Sequence, residues 1–212
     1  MGEGYRRDSQ SGRNLLMTDL LARPYWYLRH GETDWNAEGR SQGRTDIPLN
    51  PTGEAQARQA GLVLARHLGE HPIARIVSSP LGRARRTAEI VAQVLAEHGA
   101  PLFQVDLDDG LKEVCFGDQE GKPMGNWYDS WIAGEYTPVD GESFAELRER
   151  AVCAINRATE APGVPLVVCH GGMFRALRAA MGLKPNVRLP NATPMWAQPV
   201  GPAQPWELTA VS

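Results

Sequence analysis

The sequence contains little cysteine, no long hydrophobic run and no excess of positive charge. Its three cysteines, Cys115, Cys153 and Cys169, are an odd set without C-x-x-C spacing, which excludes a disulfide framework and a cysteine-ligated zinc site. No apolar run approaches the roughly 20 residues that cross a membrane, and the apolar stretch at residues 15–17 is too short for a signal peptide. We therefore expect a cytoplasmic protein that does not enter a membrane.

The charge balance limits which partners the whole surface can attract. The 212 residues carry 22 Lys and Arg against 25 Asp and Glu, a net charge of −3, which favours neither nucleic acid nor an anionic membrane surface. A chain of this length with 42% hydrophobic residues is typical of one globular domain. If the protein binds an anion, its positive charge must be concentrated in one pocket.

The apolar pattern alternates between strands and helices, which is typical of an α/β domain. We expect a three-layer sandwich, a mostly parallel sheet with helices on both faces. One helix should begin at Ser79 as N-cap with Pro80 at the next position, and another at Ser143, where Glu146 completes a capping box. The pattern predicts strands at residues 25–28, 73–77 and 164–169, helices at 50–70, 79–98, 143–161 and 173–181, and edge strands near 195–197 and 206–208.

Two segments fall outside this alternation. Residues 1–24 are predicted to be a mobile N-terminal extension ahead of a domain that spans residues 25–212. Residues 114–141 show no clean period and are rich in aromatic side chains, and we expect this lid segment to face the substrate. Its larger aromatic residues either pack in the core or line the lid, and the sequence leaves both open; they are Trp127, Tyr128, Trp131 and Tyr136.

Polar motifs follow the predicted strands at their carboxyl ends, where ligands bind in open α/β sheets. Two strands end in the same way, at His30-Gly31 and at His170-Gly171. A third strand leads into a helix that carries Arg83 near its start. Imidazoles, guanidiniums and a helix N-terminus at one place favour a bound anion, and phosphate fits them.

The same residues can also react with a phosphate. Histidine is the usual nucleophile near neutral pH, and the charge of Arg29 favours the neutral, nucleophilic form of His30. Breaking a phosphoester also needs an acid for the departing oxygen, and Glu113 is our candidate. Glu120 is a lesser candidate, and Glu32 is expected to anchor the loop behind the site. His67 and His71, four residues apart on one helix, are read as helix-end residues rather than metal ligands.

Five ordered motifs over residues 25–180 resemble those of the histidine phosphatase superfamily, whose fold is phosphoglycerate mutase-like. The first, L-R-H-G-E-T-D-W-N at residues 28–36, is followed by G-R-S-Q-G at 39–43 and by S-S-P-L-G-R-A at 78–84. L-K-E at 111–113 is followed by F-G at 116–117 and by E-G at 120–121. G-E-S at 141–143 and V-C-H-G-G at 168–172 complete the set.

The resemblance implies a role for each matching residue. His30 would become the phosphohistidine, and Glu113 would be the proton donor. Together with His30, the phosphate pocket would contain Arg29, Arg83 and His170. Further phosphate contacts would come from Asn36, Gln42, Gly43 and Gly171. The family chemistry implies no metal ion and no other cofactor, a small phosphomonoester as the partner, and a fold that agrees with the predicted α/β sandwich. A homodimer stays open.

The lid segment separates two activities that this resemblance implies. Mutases of the family bind a second phosphate and a carboxylate with cations from a longer insertion after the catalytic Glu. Between Glu113 and Gly141 this sequence has one cation, Lys122. We therefore expect a phosphomonoester hydrolase. The alternative is a phosphoglycerate mutase that depends on 2,3-bisphosphoglycerate, and the least favoured is a non-catalytic phosphate-binding module.

Overall fold

The computed structural model describes residues 19–201 and 206–212, and within them one mixed sheet runs through the domain. Its strands are β1 (Tyr25–Arg29), β2 (Ile73–Ser78), β3 (Val105–Leu107), β4 (Val164–Cys169), β5 (Pro194–Pro199) and β6 (Trp206–Ala210). Their order in the sheet is β3-β2-β4-β1-β5-β6. The first four strands pair in parallel, and β5 and β6 are antiparallel. The mostly parallel sheet is as predicted.

Helices cover both faces of this sheet, which confirms the expected α/β fold. They are α1 (Asp34–Ala37), α2 (Pro51–His67), α3 (Gly82–Glu97), α4 (Trp127–Ile132), α5 (Phe144–Glu160) and α6 (Gly171–Ala180). Alternate residues of β1 point to opposite faces: Tyr25 and Tyr27 belong to the core cluster with α5 and α6, whereas Trp26 and Leu28 belong to the cluster with α2 and α3.

Local capping chemistry sets two helix starts as the sequence predicts. Asn50 accepts a hydrogen bond from the N–H of Gly53 ahead of α2, with Pro51 as the first helical residue. Ser143 and Glu146 form the predicted capping box at the start of α5. These caps fix the residues at which the two long helices α2 and α5 begin.

Other boundaries differ from the prediction. Helix α3 begins at Gly82 rather than at Ser79 because Leu81 has an extended backbone, with ψ at 132°. The Ser79 hydroxyl accepts the N–H of Leu81 and also contacts His170. Strand β5 lies inside the sheet rather than at its edge, since β6 pairs along its outer side. The short elements α1, β3 and α4 were not predicted because none is long enough to show a period.

The predicted N-terminal extension falls mainly on residues 1–18, which lie outside the described residues. Of residues 19–24, Leu21 donates its N–H to Asn156, and Arg23 donates to the carbonyls of Thr159 and Glu160 near the end of α5. No helix in the described part of the chain is long and apolar enough to cross a membrane.

Candidate active site

Parallel pairing of β1 with β4 brings the two His-Gly segments together. Arg29 lies opposite Cys169 in the register, and the N–H of His30 donates to the carbonyl of Cys169 at 2.9 Å. The imidazole rings of His30 and His170 lie 5.2 Å apart between centroids. Two residues separated by 140 positions in the chain therefore share one site.

His30 is held in a form suited to nucleophilic attack. Its side chain is buried, with 2% of the residue exposed, and Nδ1 lies 2.7 Å from the carbonyl oxygen of Gly31. Because a carbonyl only accepts, Nδ1 carries the proton and Nε2 keeps its lone pair. Burial, followed by the charges of Arg83 and Arg29, holds the pKa of His30 well below its ordinary value.

His170 lies behind His30 and directly precedes α6. Its Nε2 contacts the Ser79 hydroxyl at 2.8 Å, and its Nδ1 is buried without a hydrogen-bond partner. Burial lowers the pKa of His170 well below its ordinary value, as do the nearby charges of Arg83, His30 and Arg29. A bound phosphate would oppose these cationic charges and favour the protonated ring.

Two guanidinium groups are fixed beside the imidazoles. Arg83 is fully buried, with Nη1 and Nη2 donating to the carbonyls of Thr45 and Gly43 at 2.9 and 2.7 Å. Arg29 donates from Nη1 to the carbonyl of Leu189 at 2.7 Å, and burial lowers its pKa to about 10 against the favourable charge of Glu113. The Nε of each arginine is buried without a partner. Buried donors of this kind are normally satisfied, so these two fit an anion in the pocket.

Glu113 is fixed at the N-terminus of α6. Its Oε2 accepts the N–H of Gly172 at 2.9 Å, and its Oε1 accepts the N–H groups of Met173 and Val114 at 3.3 and 3.0 Å. A Cβ on Gly172 would lie 2.5 Å from Oε1. The second glycine of the His-Gly-Gly motif is therefore required so that the carboxylate can approach the helix.

The remaining predicted residues line the same small cavity of about 60 Å³. They are Asn36, Gln42, Gly43 and Gly171. Two further residues were missed by the sequence analysis: Asn191 donates to the carbonyl of His30 and to Oδ1 of Asn36, and Arg175 lines the cavity from α6. Asn191 lies in a proline-rich tail without a motif, whereas Arg175 lies on the helix predicted directly after the His170 motif, where its charge is visible in the sequence.

The other acidic candidates stabilise loops. The carboxylate of Glu120 accepts hydrogen bonds from the N–H groups of Arg44, Thr45 and Phe116 and from the Thr45 hydroxyl. Glu32 accepts from the side chain of Asn50, as expected for a residue that anchors the loop.

The aromatic residues of the lid segment divide between core and pocket. Trp131 is fully buried in the core, and Tyr128 lines the cavity together with Phe116 and Met124. The segment is attached to the loop at residues 39–41 through main-chain hydrogen bonds from Ser41 to Lys122, from Gly121 to Ser41 and from Met124 to Gly39.

The described residues contain no group of three His, Cys, Asp or Glu side chains that could hold a metal ion. His71 stacks on Trp196 with ring centroids 3.9 Å apart, and His67 and His71 both contact the ring of Trp26. The expectation that both lie on one helix is wrong, because α2 ends at His67 and His71 lies beyond it, and both rings pack against tryptophan side chains.

The lowered pKa values of His30 and His170 predict a loss of stability in mild acid. Below about pH 6.5 the unfolded chain binds protons at both residues while the folded chain does not. The free energy of unfolding should therefore fall by up to about 1.4 kcal/mol per pH unit for each histidine between pH 6.5 and 5. Urea denaturation across this range measures the slope, and His30→Asn should reduce it by half. A slope of zero in the unsubstituted protein would contradict the prediction.

Comparison with known proteins agrees with this geometry. Residues 25–193 match the family described as Histidine phosphatase superfamily (branch 1). The chain is 40% identical over 152 residues to an uncharacterized phosphatase, PhoE, of Bacillus subtilis, covering 71% of this chain and 72% of that protein. It is 42% identical over 153 residues to a probable phosphoglycerate mutase, GpmB, of Citrobacter koseri, covering 69% and 68%.

Solved structures show the same fold. One is a mycobacterial glucosyl-3-phosphoglycerate phosphatase in complex with VO3, at 26% identity and a TM-score of 0.70, covering 89% of this chain and 97% of that one. Another is the protein TTHB049 from Thermus thermophilus, at 32% identity and a TM-score of 0.67, covering 89% and 99%. The chain is therefore a member of the histidine phosphatase superfamily and an enzyme of the phosphatase class.

Proposed function

We propose that this enzyme hydrolyses small phosphomonoesters through a phosphohistidine formed on His30. The observation that carries the proposal is the neutral His30, whose Nε2 lone pair is available next to Arg29 and Arg83. Each arginine gains about 4 kcal/mol from a phosphate oxygen about 4 Å away at an effective dielectric near 20. Because main-chain carbonyls already hold both guanidiniums, little reorganisation is needed when the phosphate binds.

In the first half-reaction, Nε2 of His30 attacks phosphorus while the ester P–O bond breaks. Glu113 gives its proton to the departing oxygen, so that the alcohol leaves neutral. Arg29, Arg83 and a protonated His170 stabilise the charge on the transferring oxygens. The Nδ1–H bond from His30 to the carbonyl of Gly31 stabilises the positive charge that develops on the ring.

In the second half-reaction, water replaces the alcohol. The Glu113 carboxylate takes a proton from this water as its oxygen attacks phosphorus and the N–P bond breaks. Orthophosphate leaves, His30 returns to its neutral form and Glu113 is again protonated. The cycle balances without a redox step. It also needs no metal ion, because the arginines supply the positive charge.

The surroundings of the lid segment support hydrolysis over the mutase alternative. The cation of the segment, Lys122, lies 3.2 Å from Asp118 and is already paired. A second phosphate would thus receive no unpaired charge from residues 114–141. In favour of the mutase, relatives at about 40% identity include proteins named as probable phosphoglycerate mutases.

The covalent intermediate predicts an acid-labile, alkali-stable phosphate on the protein. Rapid quenching during turnover of a ³²P-labelled ester should label the enzyme, and His30→Ala should abolish both the label and turnover. His98→Ala is the matched control, since His98 bonds within the end of α3 and not at the cavity. Undiminished turnover by His30→Ala would contradict the mechanism.

The two roles of Glu113 predict a leaving-group effect. Glu113→Gln keeps an oxygen that can accept the N–H of Gly172 but cannot transfer a proton. With an alkyl phosphate, kcat should fall by about 10²- to 10⁴-fold. With 4-nitrophenyl phosphate the first step needs little protonation, so stopped-flow should show a burst of one nitrophenolate per enzyme followed by slow turnover. Equal losses on both esters without a burst would contradict this assignment.

The choice between hydrolase and mutase follows from product analysis. With EDTA and without 2,3-bisphosphoglycerate, the enzyme should release orthophosphate from 4-nitrophenyl phosphate and from an alkyl phosphate. Conversion of 3-phosphoglycerate to 2-phosphoglycerate only when the bisphosphate is added, with no orthophosphate released, would instead establish the mutase. Activity lost in EDTA and restored by a divalent cation would overturn the metal-independent chemistry.

A further inference from the structure

Arg150 of α5 binds the main chain of the segment that carries Glu113. Its Nη1 donates to the carbonyls of Gly110 and Lys112 at 2.9 and 2.6 Å, and its Nη2 donates to the carbonyl of Glu113 itself at 3.4 Å. Residues 112–116 form no helix or strand, so the carbonyls of Lys112 and Glu113 take hydrogen bonds from side chains instead. One side chain therefore holds three main-chain groups of this segment.

Glu142 holds the same segment on the other side of Glu113. Its carboxylate accepts two hydrogen bonds from Arg150, from Nε at 2.8 Å and from Nη2 at 2.7 Å, and a third from the N–H of Cys115 at 3.3 Å. The N–H of Glu142 donates in turn to the carbonyl of Cys115 at 2.8 Å. The side chains of Glu142 and Arg150 are only 12% and 21% exposed, and two parallel hydrogen bonds give such a pair a defined geometry. The main chain is thus fixed both before and after Glu113.

Arg150 contacts the surroundings of Glu113 and does not line the cavity. Its Nη1 lies 3.8 Å from the sulfur of Met173, and the N–H of Met173 is one of the donors to Oε1 of Glu113. Arg44, whose side chain is 44% exposed, is the weaker partner, at 3.4 Å from the carbonyl of Glu113 and 3.5 Å from Glu142. An effect of Arg150 on the reaction is therefore indirect.

We propose that Arg150, oriented by Glu142, is a positioning residue for proton transfer by Glu113. The inference rests on the proposed function and adds the residues that keep its acid and base in place. A proton donor must lie within hydrogen-bond distance of the departing oxygen, and a misplacement of about 1 Å can cost about 10²-fold in rate. The nucleophile His30 directly follows a strand of the sheet, whereas Glu113 follows no such element and depends on this pair.

Arg150→Lys tests the inference because it keeps the positive charge but lacks the planar fork. With an alkyl phosphate, kcat should fall by about 10- to 100-fold, since the departing oxygen needs a correctly placed proton. With 4-nitrophenyl phosphate, the first step measured by stopped-flow in a single turnover should slow by less than about threefold, because this leaving group needs little protonation. Inhibition by orthophosphate should be unchanged, because the phosphate pocket is not altered.

A double-mutant cycle shows whether Arg150 acts through Glu113. In Glu113→Gln, which cannot transfer a proton, adding Arg150→Lys should lower kcat for the alkyl phosphate by less than about threefold more, since two residues that act as a unit are not additive. Additive losses in this cycle would overturn the inference. Equal losses on the two esters in the single variant would do the same, because a general structural role lowers both.

Arg157→Lys is the control on the same helix. Arg157 also binds a carboxylate through Nε and Nη2, that of Asp108 at 3.1 and 2.8 Å. Its substitution removes a similar ion pair and should leave the ratio of the rates with the two esters unchanged.

Glu142→Gln is the second variant, to be read if urea denaturation shows that Arg150→Lys does not fold. An amide accepts through one oxygen only, so Gln cannot keep all three hydrogen bonds from Arg150 and Cys115. The rate with the alkyl phosphate should again fall more than the rate with 4-nitrophenyl phosphate. An unchanged ratio in this variant would overturn the inference.

The outcomes separate this inference from the proposed function. An unchanged ratio in Arg150→Lys, with orthophosphate still released, would overturn only the positioning role. Absence of orthophosphate release from every ester by the unsubstituted enzyme, 4-nitrophenyl phosphate included, would instead overturn the proposed function itself.

Discussion

The parallel pairing of β1 with β4 is the constraint on which the site depends. It places the carboxyl ends of two strands at one edge of the sheet, and the hydrogen bond from His30 to Cys169 continues the ladder by one residue past Arg29. Each strand then turns away through a glycine. The imidazoles are therefore positioned by main-chain geometry within a rigid sheet, which suits chemistry that tolerates little misplacement.

Positive charge is kept at this edge by buried arginines held mainly through main-chain carbonyls, with Asp46 3.7 Å from Arg83 as one carboxylate partner. Isolated charges are costly in a protein interior, and Arg83 offsets this cost by donating to two main-chain carbonyls. The same arginines depress the pKa of the imidazole of His30. One arrangement thus supports both an anion in the cavity and the neutral His30 that the proposed mechanism needs, and a chain with a net charge of −3 concentrates this positive charge locally.

Much of the fold and of the site follows from local patterns in the sequence. The apolar strands, the helical pattern from residue 50 and the capping box at Ser143 predict elements that the structure contains. The residues of the site were found because glycines and histidines interrupt strands at their ends. Ser79 was misread since a serine before a proline is typical of an N-cap, whereas here tertiary contact with His170 decides its role.

Contacts between distant segments that lack periodicity could not be predicted from the sequence. Asn191 meets His30 across 161 residues, and no spacing rule relates the two. The hydrogen bond from the N–H of Gly172 to Glu113 likewise joins the start of α6 to a loop that is distant in the sequence.

The lid segment is joined to Ser41 through main-chain hydrogen bonds with residues 121 and 122, and to Arg44 and Thr45 through the carboxylate of Glu120. Main-chain bonds do not depend on side-chain identity. A substitution at Met124, which is about half exposed, can therefore alter the cavity wall while these main-chain bonds remain, whereas Phe116 and Tyr128 also pack in the core. The part of the cavity beside His30, by contrast, is fixed by side-chain hydrogen bonds, those of Arg83 to two carbonyls and of Glu113 to the start of α6, so a substitution there changes the site itself.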